Sequence, residues 1–186
     1  GGAAPLAVAG HGVRRHRHDR QVAVLRVAAQ RGGGLGHVVG GHTLVYTWPG
    51  RDPQLPPVVL MAHHDVVPVT PGTEGDWTHP PFDGVIADDA VWGRGAIDDK
   101  GSVVALFEAL ESLATRGFAP RRTVILVSGH DEEAGGKGAA AAAALLQSRG
   151  VRAEFVLDEG MAVVAGLPLA SGPVALIGVG EKGYAT

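Results

Sequence analysis

The sequence predicts an α/β fold with a largely parallel central sheet. Three apolar runs of strand length, at residues 58–62, 121–129 and 153–158, alternate with helical patterns at 102–116 and 137–149. Acidic or imidazole side chains follow each of these strands. Strands that alternate with helices favour a parallel sheet, in which the carboxyl ends of the strands share one edge. We therefore expect these polar side chains to converge at that edge.

The strand predictions rest on alternation, apolar runs and turn residues. Residues 42–48 alternate as a half-buried strand does, and the continuous apolar run at 58–62 is typical of a buried central strand. Residues 84–95 predict a hairpin that turns at Asp88 and Asp89. A further apolar run at 174–179 predicts one more strand.

The helix predictions rest on a helical period of apolar residues. In residues 102–116 one face is apolar, and the other carries Glu108, Glu111 and Ser112. The apolar positions are Val103, Leu106, Phe107, Leu110 and Leu113. Residues 137–149 form a second, alanine-rich helical pattern.

Composition limits the chemistry that the chain can perform. Its 186 residues are 45% hydrophobic and 19% charged, enough for one domain with its own core. The net charge of −3 and the lack of a bilayer-length apolar run predict binding to neither nucleic acid nor membrane. Because the chain contains no cysteine, any metal would have to be held by histidine, aspartate and glutamate.

The sequence divides near residue 37. Residues 1–36 are rich in glycine and alanine, contain an Arg/His cluster and predict a poorly organised segment, whereas residues 37–186 carry the regular patterns. No leader is visible after Gly1, which favours a cytoplasmic location. The start without methionine and the apolar run close to the last residue lead us to expect a fragment of a longer protein.

Four groups of polar residues stand where predicted elements begin or end. They are His63 with Asp65, Asp98 with Asp99, Asp131 with Glu132 and Glu133, and Asp158 with Glu159. Each has an ordinary structural explanation, as a turn, a helix cap, a surface charge or a strand exit. At one edge, however, several carboxylates would repel one another unless they were protonated or bridged by cations. Imidazole and carboxylate ligands without sulfur suit zinc, manganese or cobalt, so the sequence predicts a metal site.

Four segments resemble, in their order, the aminoacylase/carboxypeptidase family of dinuclear zinc hydrolases. They are "LMAHHDVVPV", "WTHPPFDGVIADDAVWGRGAIDDKGSV", "LVSGHDEEAGG" and "FVLDEG". The resemblance is strongest to the branch of carboxypeptidase S and the N-fatty-acyl-amino-acid hydrolases. It implies a three-layer α/β/α catalytic domain like that of the zinc peptidases. Residues 37–186 would be its N-terminal part, without the C-terminal part and the lid or dimerisation domain.

The resemblance also implies roles around the first two motifs. His63 would bind a metal and Asp65 would orient its ring, while the intervening His64 would face away. Asp98 would bridge two metals and would be followed by a cis peptide bond. Asp99 would cap the helix that begins there.

Further roles follow for the last two motifs. Glu133 would bind the second metal, Asp158 the first, and Glu132 would act as the general base, with Glu159 outside the site. The implied cofactor is two Zn²⁺ ions per complete site, with Co²⁺ or Mn²⁺ as substitutes.

The function implied is a metal-dependent hydrolase that cleaves an amide bond next to a free carboxylate. Substrates would be small peptides, cut at the C-terminal bond, or N-acyl amino acids, and the family allows a homodimer through the domain absent here. The remaining histidine ligand of the family would lie beyond this chain, since no histidine follows His130. We therefore expect weak binding of the second metal and impaired turnover. The alternative is a truncated relic or metal-binding module that keeps the fold without turnover.

Overall fold

The computed structural model describes residues 36–160, 163–166, 168 and 171–175. Within these residues the strands are β1 His37–Val39, β2 Thr43–Trp48, β3 Val58–His63, β4 Val85–Ala87, β5 Ala90–Trp92, β6 Val124–Gly129, β7 Phe155–Leu157, β8 Val163–Val164 and β9 Val174–Ala175. The α-helices are α1 Lys100–Thr115 and α2 Lys137–Ser148. Short 3-10 turns lie at Glu74–Asp76 and Glu132–Ala134.

A five-stranded mixed sheet organises the chain, in the order β1-β2-β6-β3-β7. Strand β3 runs parallel to both β6 and β7, whereas the β1–β2 and β2–β6 pairs are antiparallel. The parallel arrangement predicted from the sequence therefore holds for the three strands that precede the predicted site residues. Strand β1 was not predicted, because three residues are too few to display alternation. It reaches β2 through Gly40 and Gly41, whose φ values of 59° and 106° suit glycine.

The core lies on both faces of the sheet, as the predicted α/β/α layers require. Helix α1 packs Phe107 and Leu110 against Leu126 on one face. Helix α2 packs Ala142 against Val127 on the other. Neighbouring residues of a strand point to opposite faces, and Leu126 and Val127 of β6 are 2% and 1% exposed. Strand β6 is therefore the apolar centre of the described domain.

Most predicted elements are confirmed, with small shifts. The hairpin β4–β5 turns at Asp88 and Asp89, whose φ values of 52° and 57° are those of a two-residue hairpin turn. Of the strand predicted at 174–179, only Val174–Ala175 (β9) lies within the described residues. Residues 176–179 and the poorly organised segment predicted at 1–36, apart from residue 36, lie outside them. No helix among the described residues is long and apolar enough to cross a bilayer.

Replacing Leu126 with alanine should lower the free energy of unfolding by about 2–5 kcal/mol, because it leaves a cavity between β6 and α1. The matched control is Val38→Ala on the edge strand β1, where the side chain is 64% exposed. Denaturant unfolding followed by circular dichroism measures both variants. Equal losses in the two would contradict the assignment of β6 as the centre of the core.

Candidate metal centre

The ends of two parallel strands create the candidate site. Strand β3 ends at His63, which is in register with Gly129 at the end of β6. The chain continues from β6 into the turn that carries Glu132 and Glu133. The parallel register therefore places that turn beside the His63 imidazole, as the sequence predicted for strand ends at one edge.

Three carboxylates contact the ring of His63, which is itself only 3% exposed. Its Nδ1 atom lies 3.2 Å from Oδ1 of Asp65. Its Nε2 atom lies 2.9 Å from Oδ1 of Asp98 and 3.4 Å from Oε1 of Glu159. Because Asp65 engages Nδ1, the Nε2 atom is the one that faces the other acidic groups and is placed to bind a metal.

The carboxylates around His63 favour its protonated form. Burial alone would lower the pKa of His63, but the hydrogen bond to Asp98 and the charges of Glu159, Asp65 and Asp98 outweigh it. The pKa of His63 is therefore raised above its ordinary value. A proton on Nε2 offsets part of the same negative charge that a bound metal ion would offset.

Asp65 connects His63 to the turn after β6. Besides contacting the ring, its carboxylate accepts hydrogen bonds from the backbone amides of Glu132, at 3.2 Å, and Glu133, at 3.0 Å. Burial tends to raise the pKa of Asp65, but the amides of Glu133 and Glu132 outweigh burial and lower it. Asp65 thus accepts hydrogen bonds from both segments of the site while it remains charged.

The peptide bond between Asp98 and Asp99 is cis, as the resemblance implied. The Asp98 carboxylate is 62% exposed and faces His63, whereas Asp99 is 1% exposed. Oδ2 of Asp99 accepts a hydrogen bond from the backbone amide of His63 at 3.1 Å. Asp99 occupies the N-cap position of α1, as expected, but its side chain makes no capping hydrogen bond.

His64 faces away from the acidic groups, as its place in an extended strand predicted. Its Nδ1 atom lies 2.8 Å from the hydroxyl of the buried Ser128 on β6. Its carbonyl oxygen accepts a hydrogen bond from Nζ of Lys100 at the start of α1. The roles of Asp99 and Lys100 were missed because "DDK" before a helix has the composition of an ordinary helix start.

The two acidic residues after β7 make different contacts. Glu159, expected outside the site, has its carboxylate beside His63. The carboxylate of Asp158 instead accepts a hydrogen bond from the amide of Glu159 at 2.9 Å. The role of Asp158 as a metal ligand stays a prediction.

Two donor sets in the described residues have their ligand atoms within 4.8 Å of one another. One is His63 with Asp99 and Glu159, and the other is His63 with Glu132 and Glu133. Burial, followed by neighbouring carboxylate charges such as that of Asp98, raises the pKa of both Glu133 and Glu159. Imidazole nitrogen and carboxylate oxygens that repel one another fit a divalent cation, which would bind the donors and relieve the repulsion.

The chain is similar in sequence to known peptidases and hydrolases. Residues 59–177 match peptidase family M20/M25/M40. Over 147 residues the chain is 48% identical to human N-fatty-acyl-amino acid synthase/hydrolase PM20D1, covering 78% of this chain and 29% of that protein. Over 93 residues it is 52% identical to carboxypeptidase S of Saccharomyces cerevisiae, covering 49% of this chain and 16% of that protein. The chain thus spans less than a third of the length of these relatives.

Solved structures share the fold. An M20 family metallo-carboxypeptidase from Sulfolobus solfataricus superposes with a TM-score of 0.60 at 21% identity, covering 79% of this chain and 32% of that one. Human carnosine dipeptidase 1 superposes with a TM-score of 0.54 at 20% identity, covering 78% of this chain and 33% of that one.

Replacing Asp65 with asparagine should weaken Zn²⁺ binding by about 10–100-fold, because the neutral amide cannot orient His63 and accept both backbone amides at once. Losing these bonds should also lower the free energy of unfolding by about 1–3 kcal/mol. Isothermal titration calorimetry and denaturant unfolding measure the two effects. The exposed Asp83→Asn is the control, and Zn²⁺ affinity equal in the two variants would contradict the connection through Asp65.

The ring of His63 should titrate above about 6.5, the ordinary histidine value. Because its folded pKa is raised, its protonated form stabilises the metal-free fold below the unfolded pKa, and that contribution is lost as pH rises through the folded pKa. A metal must displace this proton, so metal affinity should rise over the same range. NMR titration of the metal-free chain, with His63→Gln to assign the resonance, measures the pKa. A value at or below 6.5 would be inconsistent with the carboxylate cluster.

Proposed function

The chain belongs to peptidase family M20/M25/M40, and on this premise we propose that the protein containing it is a metal-dependent amide hydrolase. The observation that carries the proposal is the single buried imidazole of His63 facing carboxylates from the start of α1, the turn after β6 and the segment after β7. Zinc suits this set, because it accepts imidazole nitrogen and carboxylate oxygen together. Cobalt and manganese, with similar ligand preferences, would be substitutes.

The residues that would hold the metals are His63, Asp98, Glu133 and Asp158. His63 would bind a metal through Nε2, which faces Asp98, since its other ring nitrogen contacts Asp65. The carboxylate next to His63 is that of Glu159, so Asp158 would have to move towards His63 to bind a metal there. When bound, the metals would polarise the scissile carbonyl and lower the pKa of water.

Glu132 is the proposed general base. Its ligand atom lies within 4.8 Å of those of His63 and Glu133, and its backbone amide is held by Asp65. The Glu132 carboxylate would take a proton from the attacking water and return it to the departing amine, which leaves the carboxylate unchanged after each cycle. Asp65 would act only through its neighbours, by orienting His63 and fixing the backbone at Glu132.

The proposed substrates carry an amide bond next to a free carboxylate. The relatives support two classes, because one is named for N-fatty-acyl amino acids and another is a carboxypeptidase. An N-acyl amino acid and a peptide with a free C-terminus share this chemistry, since in both the leaving amine belongs to an amino acid with its own carboxylate.

In the full-length protein that contains this chain, Glu132→Gln should lower kcat by about 10²–10⁴-fold, because the amide cannot accept the proton. Its Zn²⁺ content should stay at the wild-type level. Hydrolysis of an N-acyl amino acid and of a dipeptide, with metal content by plasma emission spectroscopy, measures both. Full turnover in the variant would remove Glu132 as the base, and a wild-type protein that binds metal but hydrolyses neither substrate would favour a non-catalytic module.

A further inference from the structure

A buried hydroxyl from β2 contacts the residue just before the acidic turn. Oγ1 of Thr43 lies 2.7 Å from Nδ1 of His130, a hydrogen bond in which the tautomer of His130 decides which atom donates. Thr43 is fully buried, at 0% exposure. It also lies outside residues 59–177, the part that matches the peptidase family.

We propose that Thr43 and His130 form a positioning pair that sets the geometry of the turn carrying Glu132 and Glu133. The inference rests on the roles proposed above for those two glutamates. It adds a contribution from β2, a strand on the far side of β6 from His63.

Helix α2 packs directly onto the pair. Gly138, in the first turn of α2, approaches so closely that a methyl group there would overlap the Thr43 hydroxyl. The same methyl group would come within 2.7 Å of Nδ1 of His130 and of Oδ1 of Asp131. The start of α2 is therefore seated directly on the Thr43–His130 contact, at a distance that only glycine permits.

Asp131 links the pair to the acidic turn. Oδ1 of Asp131, the residue after His130, accepts a hydrogen bond from the amide of Gly138 at 2.8 Å. The carbonyl oxygen of Asp131 accepts bonds from the amides of Ala134, at 3.2 Å, and Gly136, at 2.7 Å. Asp131 therefore makes hydrogen bonds both within the turn and to the start of α2. Because His130 is the preceding residue, a shift of His130 would also move Asp131.

The His130 ring also packs against a second histidine ring. The ring meets that of His42 edge to face, with centroids 5.6 Å apart. The turn is consequently anchored on two sides, by Asp65 at the amides of Glu132 and Glu133 and by the Thr43–His130 pair at its base. Removing the Thr43 hydroxyl would leave Nδ1 of His130 without this partner and free the base of the turn to shift.

Thr43→Val and Thr43→Ser test the proposal in this chain, with Thr47→Val as the matched control four residues along the same strand. Thr43→Val should speed hydrogen exchange at the amides of Glu132 and Glu133 by about fivefold to tenfold. It should also weaken Zn²⁺ binding by about 10–100-fold. Thr43→Ser, which keeps the hydroxyl, and Thr47→Val should both stay near wild type.

A purely structural hydroxyl would give a different pattern. Thr43→Val would then lower the melting temperature while exchange at the two glutamate amides and Zn²⁺ affinity stayed unchanged, and that result would overturn the proposal. If Thr43→Val does not fold, His130→Phe removes the same hydrogen bond while keeping a ring against His42, and the same two measurements decide. A wild-type chain that takes up no Zn²⁺ would contradict the proposed function, whereas the exchange rates would still test the positioning pair.

Discussion

The structure of the site depends on one carboxylate, that of Asp65. It contacts the His63 ring at the end of β3 and accepts the backbone amides of Glu132 and Glu133 after β6. These two segments are far apart in sequence, and the parallel register of β3 and β6 brings them only to the same edge. Asp65 converts that proximity into a defined geometry, because one anion accepts from a ring nitrogen and from two consecutive amides.

The same arrangement concentrates negative charge that a bound metal would neutralise. Asp98, Glu133 and Glu159 all lie near the His63 imidazole. Burial, followed by the charge of Asp98 and other neighbouring carboxylates, raises the pKa of both Glu133 and Glu159. A proton on His63 offsets part of this charge. A divalent cation would offset more of it. The fold therefore holds acidic groups in an arrangement that favours cation binding over the metal-free state.

How far the sequence could predict this site depended on the kind of interaction. Strand ends and helix starts can be predicted from apolar patterns, which is why His63, Glu132 and the Asp88–Asp89 turn lie where the patterns placed them. Contacts between distant residues leave no such pattern. The hydrogen bond that the His63 amide donates to Asp99 joins residues 36 apart, and the one between Thr43 and His130 joins residues 87 apart. The different placements of Asp158 and Glu159 could not be predicted either, because adjacent acidic residues look alike in sequence.

X-ray absorption spectroscopy of the chain loaded with one equivalent of Zn²⁺ tests the central claim most directly, because it counts imidazole ligands. The chain contains nine histidines, so adventitious binding would recruit several of them. A metal held at the His63 cluster should show a single imidazole at about 2.0–2.1 Å with oxygen ligands completing the shell, and His63→Gln should remove the imidazole signal. Two or more imidazoles, or an unchanged spectrum in His63→Gln, would contradict the assignment of this edge of the sheet as the metal centre.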